Sequence, residues 1–146
     1  MIQLHLPAGF ARQIEKEGAG AYPNECCGVM FGRDVDGQTR RIVERIAPMD
    51  NAFDAAERFH RFSITPKQLM QAEKEAAAEG RLVLGFYHSH PDAPARPSEY
   101  DREHAWPFYS YVIVAISKGS AVDMTSWLLD EKTETFSRQD IVECVE

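Results

Sequence analysis

The chain has 146 residues, of which 44% are hydrophobic and 27% charged, and its formal net charge at pH 7 is −7. This size and composition exclude a disordered chain and predict one globular domain spanning residues 1–146. The acidic balance argues against a nucleic-acid partner, because phosphate binding depends on Lys and Arg. No apolar run approaches the roughly 20 residues of a membrane span. Residues 1–7 lack the basic and apolar stretches of a secretory signal.

Three cysteines are present, and two of them, Cys26 and Cys27, are adjacent. Neighbouring residues of a strand point to opposite faces, so a disulfide between these two would be strained. Three thiols are typical of a reducing compartment, and the sequence therefore predicts a cytoplasmic protein.

The first half of the chain predicts one helix followed by a hairpin. Phe10 and Ile14 have helical spacing, and the helix is expected to end near residues 18–20. Residues 26–32 form an apolar run of strand length, and the turn at residues 36–37 leads into a second strand at 40–47. Residues 48–61 show no clear periodicity and are predicted to be rich in loops.

The second half predicts alternating helices and strands. After a short strand at 62–64, Thr65 and Pro66 are typical of the start of a helix, which is expected to end near Gly80. Residues 82–87 are apolar on both faces, as a central strand requires. A proline-rich loop follows at 91–97. After it, the sequence predicts a helix at 98–106 and strands at 109–117, 121–129 and 133–138. The interpretation is an α/β fold, a mixed sheet flanked by helices.

The chemistry is concentrated between His88 and Asp101. His88 and His90 lie two residues apart at the end of a predicted strand, so their imidazoles project from the same face. Imidazole is a favoured zinc ligand, and catalytic zinc commonly has three protein ligands. Asp101 could supply the third ligand from the first turn of the next helix. Taken separately, each member has an ordinary structural explanation, since Ser98 and Asp101 also nearly form a helix capping box.

Together these residues resemble a known motif. The order His-x-His, seven residues, Ser, two residues, Asp is similar to the motif of the JAMM/MPN-plus (Mov34/MPN/PAD-1) metallopeptidases. Upstream, residues 23–32 resemble the second hallmark of that family, a glutamate (Glu25) just before a Cys-Gly strand. The resemblance continues through residues 86–87 and 105–114 to Trp127, and so covers nearly the whole chain. It implies the JAMM/MPN fold, which is similar to that of cytidine deaminases.

The resemblance also implies a role for each residue of the motif. His88, His90 and Asp101 would bind one Zn²⁺, with water as the fourth ligand. Glu25 would accept the proton of that water and deliver a proton to the leaving amine, and Ser98 would donate a hydrogen bond to the oxyanion. Cys26 is interpreted as a small buried residue, and His104 as a surface residue with a possible indirect role.

The implied substrate is a ubiquitin-like protein, hydrolysed after its C-terminal diglycine. The short loop between Pro91 and Asp101 and the lack of insertions resemble the short prokaryotic branch of the family. The partners implied for that branch are ubiquitin-like sulfur-carrier proteins. The sequence leaves open which carrier is cleaved, which type of bond is cut and how many subunits assemble.

Two other classes of protein are alternatives to a peptidase. A catalytically silent MPN scaffold would have lost one or more ligands, whereas this chain keeps the three ligands together with Glu25 and Ser98. A zinc deaminase requires a His-x-Glu and a Pro-Cys-x-x-Cys pair. Neither pattern occurs in the sequence, which favours the peptidase.

Overall fold

The structure is a computed structural model that describes residues 2–35, 37, 39–50 and 64–144. These residues form three helices and eight strands. In chain order they are β1 (Gln3–Pro7), α1 (Ala8–Ala21), β2 (Cys27–Val35), β3 (Arg40–Met49), α2 (Pro66–Ala78), β4 (Leu82–Pro91), α3 (Glu99–His104), β5 (Ser110–Ser117), β6 (Ser120–Leu129), β7 (Phe136–Gln139) and β8 (Ile141–Cys144).

The eight strands form one mixed sheet in the order β7-β6-β5-β4-β2-β3-β1-β8. The pairs β1–β3, β1–β8 and β4–β5 are parallel, and the remaining neighbours are antiparallel. The prediction of a mixed sheet with flanking helices is therefore confirmed. The edge strands β7 and β8 are separated in sequence only by Asp140, so the sheet curves until its two edges approach each other.

The two faces of the sheet carry separate apolar clusters. Helix α1 buries Ala11, Ile14 and Gly18, which have helical spacing, against one face. Helix α2 buries Ala72 and Ala76 against the other. No helix among the described residues has the length and apolarity needed to cross a membrane.

Most of the predicted elements are present, with shifted ends. Helix α2 has the expected start, because Thr65 and Gln68 form a complete capping box and Pro66 is the first helical residue. Strand β4 lies at the centre of the sheet, as predicted. Residues 48–49 belong to β3 and not to a loop, because they pair with Gly28 and Cys27. The short strand predicted at 62–64 lies mostly outside the described residues, and β1 and β8 were not predicted.

Candidate active site

Strand β4 presents the two histidines on the face that also carries α2. Alternation along the strand turns Phe86, His88 and His90 to this face, while Tyr87 turns to α1 and its hydroxyl donates to Glu17 at 2.5 Å. The expectation that the two imidazoles share a face is confirmed. Both are buried, with exposed fractions of 1% for His88 and 7% for His90.

Helix α3 brings Asp101 to the histidines. Ser98 Oγ accepts from the backbone N–H of Asp101 at 3.0 Å, and Asp101 Oδ2 accepts from the N–H of Ser98 at 2.9 Å. The same Oδ2 lies 3.3 Å from His88 Nε2 and 3.1 Å from His90 Nε2. The capping box and the contact with the histidines, which were alternatives in the sequence, therefore coexist: the cap orients the carboxylate that faces the imidazoles.

The three donor atoms fit a tetrahedral metal ion. His88 Nε2 and His90 Nε2 are 3.1 Å apart, so the three atoms form a triangle with sides of 3.1, 3.1 and 3.3 Å. Ligands about 2.0–2.1 Å from a zinc ion would be about 3.3–3.4 Å apart in a tetrahedron. The observed triangle is close to one face of such a tetrahedron, and these residues form the only such His/Cys/Asp/Glu group in the described part of the chain.

The hydrogen bonding of His90 also favours a cation. Its Nδ1 lies 2.8 Å from the carbonyl oxygen of Pro94, which can only accept, so Nδ1 carries a hydrogen. In the neutral ring, Nε2 then directs a lone pair toward the carboxylate of Asp101. Burial opposes protonation of His90, but Asp101 raises its pKa above the ordinary value. Either a proton or a metal ion relieves the contact between lone pairs.

Electrostatics keep the other two groups in the forms that bind metal. Burial lowers the pKa of His88, which keeps this ring neutral. Burial alone would raise the pKa of Asp101, but its interactions with His88, with His90 and with the backbone N–H of Ser98 hold it below its usual range. A neutral imidazole and an ionised carboxylate are the protonation states that a metal ion requires.

Glu25 reaches the site through the pairing of β2 with β4. Cys27 lies opposite His88 in this antiparallel pair, which places the residues just before β2 beside the histidines. The Glu25 side chain is 7% exposed, and its Oε1 is buried without a hydrogen bond to any described residue. Burial raises the pKa of Glu25 to about 8, with His90 lowering it and Asp101 raising it. The site thus contains a carboxyl group ready to exchange a proton near neutral pH.

Ser89 lies between the two histidines and supports the site. Its Oγ accepts from the backbone N–H of Cys26 at 2.8 Å, and its own N–H donates to the carbonyl of Cys26 at 3.1 Å. The residue between the two histidines therefore ties β4 to the backbone next to Glu25.

Cys26 and His104 do not belong to the group of candidate metal ligands, as expected. Cys26 is partly buried, and burial raises the pKa of its thiol to about 11, which leaves it a poor nucleophile. His104 is exposed, stacks on Tyr100, and its Nδ1 lies 2.9 Å from the carbonyl of that residue.

Two cavities approach the histidines from different sides. The first, called here the apolar cavity, has a volume of about 390 Å³ and includes His88, Asp101, Trp106, Tyr111 and Phe136 in its lining. The second, called here the Glu25 groove, has a volume of about 490 Å³. Its lining is Glu25, His90, Pro91, Ala93, Pro94, Arg96 and Ser98. A substrate that crosses the metal-binding residues can therefore extend in two directions.

The fold agrees with the comparisons to known proteins. Residues 7–130 match the family of prokaryotic homologs of the JAB domain (Prok-JAB), and since this span is most of the chain, the protein belongs to that JAMM/MPN-type family. A structure entitled as a metalloprotease-like JAMM zinc site in the proteasome and signalosome has a TM-score of 0.53 over 98% of this chain and 99% of its own. At 16% identity, this likeness concerns the fold alone.

Closer relatives include two proteins named for protein cleavage. A desampylase of Haloferax volcanii is 36% identical over 121 residues, covering 82% of this chain and 81% of that protein. A probable TtuB-protein conjugate cleaving protease of Thermus thermophilus is 32% identical over 112 residues, covering 77% and 70%. Among solved structures, a protein of Desulfitobacterium hafniense is 31% identical with a TM-score of 0.82, covering 99% and 94%.

Proposed function

We propose that this protein is a zinc-dependent peptidase that hydrolyses the bond after the C-terminal diglycine of a ubiquitin-like protein, in particular a sulfur carrier. The observation that carries the proposal is the triangle of His88 Nε2, His90 Nε2 and Asp101 Oδ2 beside Glu25, whose buried Oε1 has no hydrogen bond to a described residue. The names of the two relatives, a desampylase and a conjugate cleaving protease, support a substrate of this class.

His88, His90 and Asp101 hold the zinc ion. When bound, zinc supplies a Lewis acid that polarises a carbonyl group and lowers the pKa of water to about 7. The capping box of α3 and the carbonyl of Pro94 orient the ligands, since they fix Asp101 and the Nδ1–H tautomer of His90.

Glu25 is the general base and then the general acid. Its carboxylate takes a proton from the attacking water and returns one to the leaving amine. Ser98 lies on the same groove, and its oxygen already accepts from the N–H of Asp101. The hydroxyl hydrogen of Ser98 is therefore directed elsewhere, and donates to the oxyanion of the substrate.

A diglycine end suits this site because the metal-binding side chains are buried. Glycine has no Cβ, so its backbone can approach such groups more closely than that of any other residue. The substrate tail before the scissile bond extends toward the apolar cavity, and the leaving group extends toward the Glu25 groove.

The test uses ubiquitin-like sulfur-carrier proteins extended beyond their Gly-Gly end by a few residues or by one cysteine. Each is incubated with the purified protein, with and without a chelator, and the product masses are measured. We expect loss of the extension after Gly-Gly, abolished by the chelator and restored by zinc. His88→Ala should lose both zinc and cleavage, whereas the control His5→Ala, in β1 away from the site, should keep both.

Two negative results have different meanings. No cleavage by a protein that contains one zinc per chain would refute the proposed substrate and leave a peptidase of another specificity. No cleavage and no bound metal would refute the peptidase and favour a scaffold that only binds protein partners.

A further inference from the structure

Arg96 lines the Glu25 groove, and its surroundings differ from those of most arginines in the described part of the chain. Six arginines in the described part of the chain form ion pairs with carboxylates, and Arg138 lies over the ring of Trp127. The six are Arg12, Arg33, Arg41, Arg45, Arg81 and Arg102. Arg96 is exposed and has neither kind of contact with any described residue. Its guanidinium group is therefore available to a ligand.

The backbone that carries Arg96 is held firmly. The N–H of Arg96 donates to the carbonyl of Pro94 at 2.8 Å. The preceding Ala95 is 3% exposed, and its carbonyl accepts from Thr125 Oγ1 at 2.6 Å. Pro97 follows directly, and its ring restricts the chain further. Because the loop is already ordered, little backbone entropy is lost when the side chain binds a ligand.

The position of Glu25 determines which half of the substrate meets Arg96. A residue that protonates the leaving amine must lie within hydrogen-bond reach of it, so the leaving group occupies the groove that Glu25 lines. Arg96 lines the same groove. Arg96 therefore lies on the side of the site that receives the released part of the substrate, not the diglycine tail.

The charge of the groove indicates what Arg96 binds. The chain has a net charge of −7, and Arg96 brings a positive charge to the lining of the Glu25 groove. The planar fork of arginine matches a carboxylate with two parallel hydrogen bonds. We infer that Arg96 is a specificity-determining residue that binds a carboxylate of the leaving group, namely the free α-carboxylate of a short C-terminal extension after Gly-Gly.

This inference rests on the proposed function and narrows the class of substrate. A one-residue extension places its α-carboxylate two bonds from the leaving nitrogen, whereas an isopeptide-linked lysine has no carboxylate near that nitrogen. The protein should therefore prefer to remove a terminal residue from a ubiquitin-like carrier over releasing a carrier from a lysine side chain.

The experiment compares two substrates that differ only in charge. A ubiquitin-like sulfur carrier extended by a single alanine after Gly-Gly is prepared as the free acid and as the C-terminal amide, and kcat and KM are measured at low salt. A charge-assisted hydrogen bond at an exposed site predicts about tenfold higher kcat/KM for the acid, mostly through KM. Arg96→Gln should remove this preference, Arg96→Lys should keep part of it, and 0.5 M salt should weaken it.

The control is Arg12→Gln, which removes the same charge from the exposed face of α1 and should keep the tenfold preference. Equal cleavage of acid and amide by the wild-type protein would overturn the inference and leave the proposed function intact. So would an Arg96→Gln variant that retains the preference or that slows both substrates equally. Cleavage of neither substrate by the zinc-loaded protein would overturn the proposed function, and this inference with it.

Discussion

Replacement of Glu25 by glutamine should lower turnover and raise the stability of the metal-free protein. The glutamine amide has nearly the same shape as the carboxyl group but cannot exchange a proton. We expect Glu25→Gln to bind zinc as the wild type does and to lose turnover by about 10²–10⁴-fold, the usual contribution of a general base. The assay is cleavage of the extended carriers together with zinc analysis. Wild-type turnover in this variant would refute the assignment of Glu25 as the base.

The same substitution should stabilise the metal-free protein. Burial raises the pKa of Glu25 from 4.5 to about 8, so the folded state binds this proton more tightly than the unfolded state does. Folding stability is therefore lost as the pH rises from 4.5 toward 8. At pH 7, which is about 2.5 units above the ordinary pKa, the loss at about 1.4 kcal/mol per unit is about 3 kcal/mol. Glutamine avoids this loss because it stays uncharged.

Urea denaturation with a chelator present measures this effect. We expect Glu25→Gln to exceed the wild type in free energy of unfolding by about 3 kcal/mol at pH 7 and by about 1 kcal/mol at pH 5. The matched control Glu131→Gln, in an exposed turn, should stay within about 0.5 kcal/mol of the wild type at both pH values. A Glu25→Gln variant no more stable than the wild type at pH 7 would show that this carboxyl group is not held uncharged by burial.

Three further substitutions test the surroundings of the site. Gly28→Ala should destabilise the fold by about 2–4 kcal/mol in urea denaturation, because a Cβ there would lie 2.1 Å from the ring of Tyr87. The control Gly20→Ala has open space and should stabilise by up to about 1 kcal/mol. Ser98→Ala should lower kcat by about 10²–10³-fold, and it should lower the free energy of unfolding by about 1 kcal/mol because the cap of α3 is lost. Ser98→Thr should restore much of the activity and of the stability. Cys26→Ala should keep cleavage activity, since its thiol is protonated at neutral pH; a complete loss would contradict the Glu25 mechanism.

The parts of the site that the sequence predicted are those governed by local geometry. Two histidines at a spacing of two share a face of any strand, and the spacing from Ser98 to Asp101 is that of a capping box. These rules hold within a few residues, so the shared face of His88 and His90 and the cap at Ser98 could be anticipated from spacing, whereas the joining of Asp101 to the histidines followed from the family resemblance. Glu25 was different, because only the family resemblance selected it among the carboxylates of the chain.

Tertiary structure alone decided how distant segments meet. Strands β1 and β8 lie near opposite ends of the chain and pair in parallel, and each is only four or five residues long, so neither has a strong local pattern. The register of β2 against β4 likewise depends on packing on both faces of the sheet, and it is this register that places Glu25 beside residues more than sixty positions later.

The sequence by itself thus predicted the motif and the central strand, because each follows from short spacings and apolar patterning. The burial that raises the pKa of Glu25 and the absence of an ion pair at Arg96 among the described residues came only with the folded structure. Both depend on the sum of neighbours from several elements, and a pKa or a pairing partner is a property of that three-dimensional environment and not of the residue type.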